Sequence, residues 1–126
     1  MHTYDADHEP DPNAWLALDE ATRIDLVVEY HRHQRQRIPR LRLHATFHTI
    51  VENQLAANEQ VVVETLKRLR NEGLSRHDAV HAIGSVLAAQ VYDVLKREQP
   101  AVNGDPNQSY AAELRQLTAE SWHNTG

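Results

Sequence analysis

Two pairs of histidines at one shared spacing are the residues of this chain best suited to chemistry. His44-Ala45-Thr46-Phe47-His48 holds one pair and His77-Asp78-Ala79-Val80-His81 the other. Four residues apart on a helix, two side chains stack on one face with about 6 Å of rise between them, so two imidazoles can grip one metal ion. Together the pairs offer four nitrogens to a divalent transition ion such as Zn²⁺, Ni²⁺ or Cu²⁺, or three with a position left for water. Nine His among 126 residues supply roughly half such a pair by random placement. The bland alternative is a set of hydrogen-bonded core histidines.

Other residues could support these four. His31 is a candidate further ligand. Glu52 lies eight residues after His44, about 12 Å along a helix, too far to share an ion easily with both His44 and His48. It is better placed to orient His48 from behind, or to join a second metal. The positive end of a helix dipole at each pair keeps the imidazoles neutral and so available as ligands.

A second feature is the run Arg32 to Arg42, which holds five of the eleven Arg in an otherwise acidic chain. Arg35, Arg40 and Arg42, with Arg76 at the same expected end, could hold phosphate or carboxylate. The plainer reading is a solvated helix end with cations at its negative pole. Arg76-His77-x3-His81 also resembles the Arg–polar–x3–His pattern of small helical ribonucleases of toxin–antitoxin and defence systems. That resemblance implies metal-independent cleavage, with Arg76 as phosphate anchor and His81 as the acid–base group. It leaves His44 and His48 unexplained, and Ile83 stands where those families commonly carry an aromatic.

Composition bounds the rest. Hydrophobic content of 40%, charged content of 25% and this length suit one globular domain with a real core. A net charge of −5 argues against coating nucleic acid, and the lack of Cys excludes disulfides and thiolate metal sites. Neither a secretory signal nor a membrane-length apolar run is apparent, so the expected location is cytoplasmic.

The periodicity predicts an all-α, compact up-down bundle of four to five helices. Residues 1–11 read as a flexible acidic segment ahead of a single domain over 12–126. Asp11-Pro12 starts a short turn at 12–18, and helices follow over 19–36, 42–57, 59–72, 76–98 and 106–122. Pro39, Asn58, Gly73 and Pro100 separate them, and Ser75 to Asp78 reads as a capping box. Short connections make sequential helices antiparallel. The second and fourth main helices would then run the same way, with both His pairs at one end and the His31 end of the first beside them. Gly84 inside a helix suggests close approach of a neighbouring backbone.

From Leu43 through Glu52-Asn53-Gln54-Leu55, and again from Gly73 to Gly84, the chain resembles an uncharacterised bacterial family, a domain of unknown function. The resemblance spans about residues 40–95 and implies a compact helical protein in which His44, His48, His77 and His81 act as a unit. It implies no activity. The expectation is a His-lined site for a divalent transition metal, with metal-assisted hydrolysis of a small anionic ligand as the simplest chemistry. A structural bundle that forms a homodimer through Val61 and Val63 is the remaining alternative.

Overall fold

The computed structural model describes residues 3–34, 37–96 and 106–125. Seven helices and no strand lie among them: α1 (Pro12–Ala17), α2 (Glu20–His33), α3 (Leu41–Ala56), α4 (Gln60–Asn71), α5 (Arg76–Lys96), α6 (Pro106–Gln116) and α7 (Ala119–Thr125). The all-α bundle follows from the apolar spacing, and local chemistry fixes the helix ends. Asp11 caps α1 with Pro12 in the first turn, and Asp19 accepts from the Thr22 amide at 2.8 Å to start α2. Ser75 Oγ accepts from the Asp78 amide at 3.1 Å to start α5. Gly73 closes α4 with φ +108, a conformation that other residues adopt only under strain. The α3 start differs: Arg40 stands there in a left-handed conformation, φ 51, without a side-chain cap.

The helix count exceeds the expected four to five for two reasons. The turn at 12–18 is a true helix, and the segment expected over 106–122 is divided. Thr118 and Ser121 bond each other's amides at 3.0 Å, which ends α6 and starts α7.

Two apolar clusters hold the bundle. Val51, Val62, Leu69, Val80, Ile83 and Leu114 join α3, α4, α5 and α6. Trp15, Val27, Val28 and Ala45 join α1, α2 and α3, and the segment ahead of α1 adds Tyr4 and Ala6. Two residues of the segment expected to be loose over 1–11 are thus packed against the helices. Tyr4 is 7% exposed and Ala6 0%, with the intervening Asp5 turned outward. Val61, expected on an exposed dimer face, packs against the first cluster. Gly84 is not needed for backbone approach either, since a Cβ there would sit 3.9 Å from Val51 Cγ2, an ordinary contact. Among the described residues, no helix is long and apolar enough to cross a membrane.

Candidate metal centre

Where α2, α3 and α5 meet, four imidazoles face one another. His31 comes from α2, His44 and His48 from α3, and His81 from α5, and one nitrogen from each lies within 4.8 Å of the other three. His31 and His48 are each 2% exposed, whereas His44 and His81 are partly open. The closest approaches converge on His81. Its Nε2 lies 3.2 Å from His31 Nε2, 3.0 Å from His44 Nε2 and 3.1 Å from His77 Nε2.

Hydrogen bonding cannot satisfy that arrangement. An imidazole nitrogen has one in-plane site, which either donates a proton or accepts one. Three nitrogen neighbours compete for the one site on this Nε2, so at most one of them gains a well-aligned hydrogen bond. Ligand bonds of about 2.0–2.1 Å in a tetrahedral zinc site put neighbouring nitrogens about 3.3 Å apart, close to the His31–His81 and His44–His81 distances, although the whole set spreads to 4.8 Å.

The electrostatics favour neutral rings. Burial, followed by the neighbouring His31 and His77, pushes His44 down to about 4. Burial, with His77, His44 and His31, pushes His81 to about 3. His48 is held well below the ordinary value by burial above all, and His31 is lowered for the same first reason. Rings that resist protonation keep their lone pairs for a metal.

Two of the four tautomers follow from the surroundings. His31 Nδ1 donates to the Val27 carbonyl oxygen at 2.8 Å, so its Nε2 carries the lone pair that faces the cluster. His48 is set by a longer chain of contacts. Arg76 holds both oxygens of Glu52, at 2.8 and 2.7 Å, and the two side chains are 3% and 1% exposed. Glu52, so paired, accepts the Tyr4 hydroxyl proton. That hydroxyl must then accept from His48 Nε2, 2.7 Å away. Nδ1 of His48 is left with the lone pair, and it is buried with no hydrogen-bond partner among the described residues. A buried, unpartnered acceptor beside three other imidazoles is suited to ligate a metal ion. Burial and the Glu52 charge both raise the Tyr4 pKa, so this hydroxyl keeps its proton.

The sequence-derived set is therefore re-sorted. His44, His48 and His81 are brought together as expected, and His31 joins them at the centre. His77 stands at the edge: its Nε2 touches His81, but its Nδ1 is 3.5 Å from Tyr30 and its amide is held by Asp7. Between α3 and α5, His44 meets His81 and Val51 lies beside Gly84, while the long Arg76 side chain reaches Glu52 from the start of α5. Glu52 does orient His48, although through Tyr4.

The anion-binding expectation fares differently. Arg76 is turned inward onto Glu52 and the Ala6 carbonyl, so it is no exposed phosphate anchor, and the Arg76/His81 ribonuclease arrangement loses its cation. Arg42 is exposed and paired with Asp25 at 3.0 Å. Arg40 is exposed at the start of α3, and Arg35 lies outside the described residues.

Comparison with known proteins gives no further guide. No family model, no curated protein and no solved structure matches this chain. What the site can do rests on its own geometry.

Tyr4 is the residue that reading the sequence missed. Its role depends on partners 44 and 48 positions away, which no local pattern announces. The available signal was a short alternation, with Tyr4 and Ala6 turned inward between outward Asp5 and Asp7.

Proposed function

We propose that this protein binds one divalent transition-metal ion between α2, α3 and α5, with His31, His44, His48 and His81 as ligands and His77 beside them. The observation that carries the reading is one nitrogen from each of these four imidazoles within 4.8 Å of the other three, with His31 Nε2 and His44 Nε2 at 3.2 and 3.0 Å from His81 Nε2. The unpartnered His48 Nδ1 supports it independently. An all-imidazole donor set suits zinc, copper, nickel and iron rather than calcium or magnesium, which prefer oxygen. Such a centre can polarise a bound oxygen or lower the pKa of a bound water. The carboxylate of Glu52 is not a ligand in this reading; it fixes His48 through Tyr4.

The test is metal analysis of protein purified without an affinity tag, with calorimetric titration of chelator-treated protein. One ion of zinc, nickel, cobalt or copper per chain is expected. His81→Ala should abolish uptake and His31→Ala should weaken it strongly. His33→Ala should change nothing, because that side chain is 81% exposed and lies beside Glu29. Failure to bind any of these ions stoichiometrically near neutral pH would overturn the reading.

A further inference from the structure

One face of the histidine cluster opens into a cavity of about 200 Å³ between α3, α5 and α7. His44, His48 and His81 line it, together with Phe47, Val80 and Trp122. His44 and His81 are the more open of these histidines, His48 is 2% exposed, and His31 is not in the lining. Along α5 the lining continues through Gly84 and Ser85 to Ala88, seven residues beyond His81 and about 10 Å further along the axis. The Ser85 hydroxyl already donates to the His81 carbonyl at 3.0 Å, so it can only accept from a guest.

The chemistry of the walls selects the guest. No Lys or Arg is among the described residues that line the cavity, and no Asp or Glu either. An anion seated there would meet the ion but have no second cation for the rest of its charge. Its other end would lie against Phe47, Val80 and Trp122, where burying a charge is costly. An uncharged body gains from the same surface. An apolar cavity of about 150 Å³ accommodates benzene, so this one has room for a ring of that size and a metal-ligating head.

We infer that this cavity is the ligand site of the proposed metal centre, and that it takes a small uncharged molecule with one lone-pair donor and an apolar body. The inference rests on the metal-centre reading and replaces the anionic ligand expected from the Arg-rich run. The donor atom occupies an additional coordination position on the open side, as zinc-like ions allow when they expand from four to five ligands.

Cobalt(II) serves as a coloured probe ion in the full chain, titrated in turn with imidazole, 4-phenylimidazole and acetate. The visible bands of the bound cobalt should respond to 4-phenylimidazole at a concentration at least about tenfold lower than to imidazole. Acetate should be the weakest of the three. Ala88→Phe, and the milder Ala88→Leu, should remove the advantage of the phenyl ring while leaving cobalt uptake unchanged. Cobalt bound with no phenyl preference, or with acetate as the strongest ligand, overturns the cavity inference and leaves the metal centre standing. A phenyl preference that survives both Ala88 variants places the ring elsewhere and also overturns it. No cobalt uptake by the unaltered chain overturns both.

Discussion

Replacing Arg76 with methionine should be among the most damaging single changes available in this chain. The guanidinium holds both oxygens of Glu52 and donates to the Ala6 carbonyl at 2.9 Å. Methionine keeps much of the volume but strands a carboxylate whose side chain is 1% exposed. Removing one partner of a buried ion pair typically costs about 3–5 kcal/mol, most of it the penalty of the unpaired charge. Unfolding entropy near 60 °C is about 2.1 cal/mol/K per residue. For 126 residues that cost lowers the melting temperature by roughly 11–19 °C. Differential scanning calorimetry in chelator at neutral pH reads this directly. The mechanism makes a second, sharper claim. Glu52→Gln/Arg76→Met removes the charge along with its partner, so it should recover at least about half of the loss. A single-variant cost under about 1 kcal/mol, or a double variant as unstable as Arg76→Met alone, would refute the argument that a stranded carboxylate is the cause.

Four further outcomes follow from the same geometry. Tyr4→Phe breaks the link between Glu52 and His48 Nε2, so nitrogen NMR should show the His48 tautomer redistributed even without metal. Metal affinity should fall about 10–100-fold in that variant; unchanged affinity and tautomer would remove Tyr4 from the site. The pH dependence of the metal-free protein has a fixed sign. His44 and His81 are pushed down to about 4 and about 3, so the unfolded chain takes up their protons first as the pH falls. Their contribution to stability is complete above about 6.5 and is lost as the pH drops through the folded values. Denaturant titrations between pH 8 and 4 should show that fall, and a His44→Gln/His81→Gln chain should show a shallower one. Gly73→Ala should cost about 1–2 kcal/mol, because the backbone there has φ +108. Gly84→Ala should be neutral or stabilising by up to about 1 kcal/mol, since its new methyl meets only Val51 Cγ2 at 3.9 Å.

What the sequence reveals of this molecule divides by range. Helices with strong apolar spacing and a polar cap, such as α2 after Asp19 and α5 after Ser75, are legible because both signals act within a few residues. His44 and His48 are legible for the same reason: one helical turn puts them on one face. The approach of His31 is not, because it depends on how α2 crosses α3. Spacing pairs His77 with His81 within one helix. In the fold His31 also reaches the cluster, with its Nδ1 on the Val27 carbonyl and its Nε2 3.2 Å from His81 Nε2. Arg76 shows the limit most clearly. At the start of a helix, beside a histidine, it reads as a phosphate anchor; its meaning changes once Glu52, 24 positions earlier, is seen to face it in the interior. A single long-range ion pair thus moves a residue from candidate catalysis to support. The same pair, acting through Tyr4, decides which nitrogen of His48 is free. The acidic segment ahead of α1, which composition marks as flexible, in this way bears on the cluster: without Tyr4, His48 could turn its other nitrogen to it.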